Sequence, residues 1–160
     1  MQEDESMTKI NYLLIYTLLL ISEASFAITY EIIGPCSETP IFTGEYKLTD
    51  LEQNAGKTSV NIFEKNKIPY LGGEEGFKSI LNTPTGIDSI ETISETKIRA
   101  YGWCYSVNGA GPDVMANQYH FEDQNDKLVW FYAYSTYDND KWLDYCVPSY
   151  KIKAAQFCTK

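Results

Sequence analysis

The sequence predicts an α+β domain, one sheet with a single helix packed across it, and three observations carry that expectation. Strand-like runs open and close the chain beyond residue 27, a single helix-like stretch lies between them, and strands and helices do not alternate as a doubly wound parallel sheet requires. No internal repeat or low-complexity linker divides residues 28–160, so they read as one domain.

Ahead of that domain, Ile10 to Ile21 (INYLLIYTLLLI) follows Lys9 and gives way to Ser22-Glu23-Ala24-Ser25-Phe26-Ala27. A basic flank, a short apolar run and small residues at Ser25 and Ala27 are the parts of a signal peptide cut after Ala27. A spanning helix needs about 20 apolar residues, and Glu23 closes this run after roughly a dozen, so no membrane anchor is expected to remain after cleavage. The acidic MQEDES does not suit the start of a leader, which makes Met7 the expected first residue. Cys36 follows IIGP, which lacks the small residues of a lipoprotein cleavage site. The chain is thus expected to be secreted or periplasmic.

Ile28 to Ile33 (ITYEII) is β-rich and ends at Gly34-Pro35; Ile41 to Leu48 (IFTGEYKL) returns as a second strand. Lys57 to Asn66 (KTSVNIFEKN) offers Thr58 or Ser59 as an N-cap and Val60, Ile62 and Phe63 as an apolar side, and predicts a helix of about three turns. Gly72, Gly73, Gly76, Pro84 and Gly86 punctuate residues 70–86, read as loop with one helical turn around Phe77 to Leu81. Ile87 to Ile93 and Tyr101 to Val107 (YGWCYSV) are predicted strands, the second closed by the Asn108-Gly109 turn. A short strand at Gln118 to Glu122, a long one at Leu128 to Tyr137 (LVWFYAYSTY), the turn Asp138-Asn139-Asp140 and a strand at Trp142 to Val147 (WLDYCV) complete the reading.

Cys36, Cys104, Cys146 and Cys158 all follow the predicted cut, an even number in a chain bound for an oxidising compartment, so two disulfides are expected and three connectivities are open. The reading leans to Cys36 with Cys158, closing the two ends of the domain, and Cys104 with Cys146. Structural zinc sites bring their ligands in close pairs, and no C-x-x-C occurs here, so no metal is expected. The formal charge is −9; residues 1–27 carry four acids (Glu3, Asp4, Glu5, Glu23) and one base (Lys9), which leaves about −6 beyond the cut. With Arg99 the only arginine, nucleic acid is excluded as a partner. Of 13 tyrosines only Tyr12 and Tyr16 precede the cut, and the rest concentrate toward the end of the chain, where they serve cross-strand packing or a recognition face.

Lys57 to Tyr70 (KTSVNIFEKNKIPY), then Gly102-Trp103-Cys104-Tyr105-Ser106-Val107-Asn108-Gly109, then Leu128-Val129-Trp130-Phe131-Tyr132 fall in a familiar order. In this the sequence resembles the domain-of-unknown-function family 4430, with its W-x-Y-x-V-N-G strand and turn and its closing D-x-(I/L)-x-W-x-Y strand. That family is similar to the C-terminal domain of the cobalamin carriers, transcobalamin and intrinsic factor. The resemblance covers about residues 28–136 and implies a β-grasp-like mixed sheet, with Trp103, Tyr105, Val107, Asn108, Gly109 and Trp130 as its structural motif. Two departures stand out: Gln124-Asn125-Asp126 replaces the family's Gly-Asp turn, and residues 137–160 form an extra tail. Cobalamin carriers use a large helical domain for half of the vitamin site, and with no counterpart here vitamin binding does not carry over, so no cofactor is expected.

Little in the sequence suggests catalysis. His120 is the one histidine, and paired cysteines leave no thiolate nucleophile. A carboxylate pair for glycoside hydrolysis can be drawn from so many acids without being informative. The acidic turns 122–126 and 138–140 lack the calcium-loop pattern, and Gly72-Gly73-Glu74-Glu75-Gly76 lacks the lysine of a phosphate cradle, which leaves it as a flexible loop. The loop Asn108 to Met115 projects as a recognition loop in one reading and is a tight turn in the other. Gly111, Met115, Tyr132, Tyr134 and Trp142 make up the candidate binding surface. The expectation is a non-enzymatic exported binding domain for a small ligand or for an envelope or extracellular protein; a small secreted hydrolase using a carboxylate pair and a structural envelope component are the alternatives.

Overall fold

Alternation along the two longest strands sets the architecture. The computed structural model describes residues 26–48 and 53–158, so the predicted leader up to Ser25 lies outside the described residues. The strands are β1 (Ala27–Ile33), β2 (Phe42–Lys47), β3 (Tyr70–Gly73), β4 (Gly76–Ile80), β5 (Thr83–Pro84), β6 (Ile90–Thr92), β7 (Lys97–Val107), β8 (Lys127–Asp138), β9 (Lys141–Trp142) and β10 (Val147–Pro148). Helix α1 (Ala55–Asn66) lies between β2 and β3. The main sheet runs β2-β1-β8-β7-β6, with β9 and β10 also paired to β8, while β3, β4 and β5 form a second, small sheet. β1 and β8 are parallel and the other pairs antiparallel. This is a mixed sheet with one helix, the α+β class that the sequence predicts.

In strands, alternate residues share a face. On β7 the inner set is Tyr101, Trp103, Tyr105 and Val107, opposite Leu128, Trp130, Tyr132 and Tyr134 on β8, and β1 adds Ile28, Tyr30 and Ile32, all buried. Helix α1 buries Ile62 and Phe63 on this side. Rings join the layers: Phe63 and Trp130 each lie 4.8 Å from Phe77 of β4, and Trp130 Nε1 donates to Ser59 Oγ at 2.8 Å.

The helix corrects the predicted cap. Asn54, three residues ahead of the predicted start, accepts from Lys57 N at 2.7 Å, while Thr58 and Ser59 are fully buried within the helix. Ser59 Oγ donates back to Ala55 O at 2.7 Å, which frees its lone pairs for Trp130. The predicted end holds, because Lys67 turns left-handed and Ile68 N reaches Phe63 O. Gly56 is required by packing, since a Cβ there would strike the Glu74 carbonyl at the tip of the β3–β4 hairpin. That hairpin is itself a correction: residues 70–84 are strands, not loop with a helical turn. Residues 87–89 are a 3-10 turn before the short β6, residues 118–122 supply only a bridge from His120 to Asn54, and the run 142–147 breaks into β9 and β10.

Trp103 is covered by the small sheet rather than by the helix. Its Nε1 donates to Thr83 O at 2.9 Å and its ring meets Tyr132 at 5.3 Å. The tail beyond residue 137 is part of the domain rather than an appendage. β7 occupies one side of β8 throughout, so β9 and β10 pair along the other, above the end of β1. The chain then crosses to the inner face, where Phe157 packs on Tyr101 and Tyr132 at 5.1 and 5.0 Å. Disulfides Cys36–Cys158 and Cys104–Cys146, with Cα separations of 5.4 and 6.0 Å, fasten the tail at both ends. These are the two pairings toward which the sequence reading leans.

Candidate functional site

On the outer face of the sheet, chain register leaves small residues beside larger apolar ones. Cys104 lies opposite Phe131, Ser106 opposite Val129 and Gly102 opposite Ala133, and Ile33 of β1 stands next to Phe131. No helix covers this face among the described residues. The tail crosses it instead, because Cys146 must reach over β8 to bond Cys104. The result is a depression of about 850 Å³, floored by Ile33, Val129 and Phe131, with Gly111 and Asp113 on one rim and Tyr145 and Tyr150 on another. That volume falls within the roughly 300–1,000 Å³ typical of small-ligand sites. A second hollow, about 240 Å³, adjoins it across Cys104 and Tyr145, and is walled by Trp142 over Ala100, Gly102 and Ser135.

The rim is built by identifiable contacts. Asn108 and Gly109 take the left-handed conformation, with φ of 53° and 80°. Asn108 Nδ2 donates to Asp126 Oδ1 at 2.7 Å, and Lys127 N donates to Asn108 Oδ1 at 2.9 Å. Asp126 Oδ2 accepts the Glu122 and Asp123 amides at 2.9 and 3.1 Å, so this buried carboxylate rebuilds the turn in which the family's Gly-Asp is missing. The loop after Gly109 does not project freely, because Tyr105 Oη donates to Val114 O at 2.7 Å and draws it back onto β7. Burial, and then the neighbouring Tyr119, push the Tyr105 phenol above its ordinary range, so it holds its proton for that bond. On the other rim, Cys146 adopts φ of 48° and its N–H reaches Ser135 Oγ at 3.2 Å, while Asp144 Oδ1 accepts Thr136 N at 2.6 Å. These bonds hold Tyr145, 69% exposed, and Trp142, 43% exposed, outward with ring centres 5.8 Å apart.

The structure therefore divides the predicted surface. Gly111 borders the larger hollow and Trp142 the smaller, while the Tyr134 ring turns to the inner face, 6.1 Å from the Tyr101 ring. Met115 is 58% exposed but borders neither hollow. Tyr132 is a correction: it is fully buried, its Oη donates to Pro84 O at 2.7 Å, and burial pushes its pKa up to about 12. Its parity with Trp130 on β8 already places it inward. Tyr145 was missed, although it directly precedes the cysteine that anchors the strap. Trp103 and Trp130 are core residues, as the resemblance implies. His120 lies on the exposed bridge to Asn54 at the helix start and is not part of either hollow. Among the described residues, no group of three or more His, Cys, Asp or Glu is arranged to hold a metal ion, and no helix is long and apolar enough to cross a membrane.

Fold and site together define a small α+β domain, closed by two disulfides, with a ligand-sized hollow that lies on the outer face of its sheet and reaches the tip of the β3–β4 hairpin. Residues 56–134 match the family described as a domain of unknown function (DUF4430). The chain is also similar to a solved structure, that of a proposed metal-binding protein from Ruminococcus gnavus. Identity is 13%, with 65% of this chain and 94% of the other covered, and the TM-score is 0.37. No curated protein matches the chain.

Proposed function

We propose that this chain is an exported binding domain with no chemistry of its own, and that its ligand lies in the outer-face hollow between the 109–114 loop and the Cys146 strap. The observation that carries the reading is the half-covered apolar floor, Ile33, Val129 and Phe131, beneath exposed aromatic rims. Apolar surface of that kind on the solvent side of a sheet stays uncovered at a cost, and ligand sites are where proteins keep it. The two disulfides support the exported reading, since such bonds persist in oxidising compartments.

Gly111→Trp tests this. A Cβ at Gly111 meets only the Tyr105 carbonyl, at 3.9 Å, so a large side chain can enter the hollow without disturbing the core. In a thermal-shift screen of small molecules, a true ligand at about 100 times its Kd should stabilise the native protein by about 2.7 kcal/mol. It should do so in the wild type and lose most of that effect in Gly111→Trp. Ligands that raise both melting temperatures equally would place binding elsewhere and overturn the proposal.

A further inference from the structure

Resting on that reading of the site, we infer that the ligand is a neutral, hydroxyl-rich linear glycan laid along the two adjoining hollows. The first ground is shape. The hollows follow β7 from Ser106 to Ala100, six strand steps, which at about 3.4 Å each gives a trough roughly 20 Å long, open to solvent and suited to a chain rather than a compact molecule.

The second ground is the character of the walls. Trp142 and Tyr145 meet at 36° with centres 5.8 Å apart, a gently bent platform too tight to sandwich a cation and well placed to stack on successive ring faces. Exposed Trp and Tyr combine an apolar face with a polar edge, which matches the apolar faces and hydroxyl edges of a pyranose.

Charge supplies the third. The ionised side chains bordering the larger hollow are Glu75 and Asp113, no lysine or arginine borders either hollow, and the chain as a whole is formally −9. Carboxylates accept from sugar hydroxyls and repel an anionic polymer.

Tryptophan emission gives a direct test, because Trp103 and Trp130 are buried and Trp142 is exposed. The wild type would be titrated with cellohexaose, maltohexaose and chitohexaose, and with oligogalacturonate and a basic hexapeptide as comparators. At least one neutral hexasaccharide should shift the emission, and by calorimetry Tyr145→Ala should weaken it about tenfold or more. The circular dichroism of the variant should be unchanged. Absence of binding by all three neutral sugars, or binding by a comparator alone, would overturn the glycan assignment. If small molecules still lose their effect in Gly111→Trp, the hollow survives as the site and only the glycan falls. If a hexasaccharide binds but neither Gly111→Trp nor Tyr145→Ala weakens it, the site itself is wrong.

Discussion

Replacing Trp130 by alanine should destabilise the domain by about 3–5 kcal/mol, the usual cost of truncating a buried tryptophan. The whole domain is held by roughly 5–15 kcal/mol, so much of the population should unfold well below the wild-type urea midpoint. Trp130 is the point where three layers meet. It is 3% exposed, packs edge-on against Phe77 of the small sheet, lies against Tyr105 of β7 and bonds Ser59 inside the helix. Trp130→Phe keeps most of the ring contacts and loses the hydrogen bond to Ser59, and should cost distinctly less than the alanine variant. Urea curves for the two variants check this. A loss below about 1 kcal/mol for Trp130→Ala would mean that the helix and small sheet do not close on the main sheet through this ring.

The second large effect is expected from the Cys36→Ser, Cys158→Ser pair. These cysteines are 122 residues apart in sequence, and in the loop-entropy picture a bridge of about that span contributes between 4 and 5 kcal/mol. Its loss also releases the end of the tail, where Phe157 covers Tyr101 and Tyr132 and Ser149 Oγ donates to Pro35 O at 3.1 Å. The double variant should therefore lose most of that stability in urea and become sensitive to trypsin at Lys151 and Lys153. A variant as stable as the wild type, with its tail still protected, would show that packing alone holds the tail.

How much of this was legible in the sequence depended on whether a signal was local. β7 and β8 announce themselves by β-branched and aromatic alternation, and Asn108-Gly109 by the two residues that best tolerate positive φ. The helix was found but its start was not: Asn54, Thr58 and Ser59 are all acceptable caps, and only the tertiary demand of Trp130 for Ser59 decides among them. The glycine-rich stretch 70–86 reads as loop by composition, yet Gly72 and Gly73 serve a tight hairpin whose tip must approach Gly56. Of the residues bordering the hollows, Gly111 and Trp142 were within reach. Tyr132 was misassigned to the surface because its abundance of tyrosine neighbours outweighed its parity with Trp130. Tyr145 and the apolar floor could not be read, because they become a site only when Cys146 crosses β8 to Cys104, a non-local event.

The central claim is that ligands gather on the outer face of the sheet, and backbone amide shifts measured during titration with a small-molecule fragment library test it most directly. The perturbed amides should cluster at Trp103 to Ser106, Gly109 to Val114 and Trp142 to Pro148, with the helix amides Ala55 to Asn66 unmoved. Perturbations that instead concentrate on the helix or on β2, with the strap silent, would contradict it.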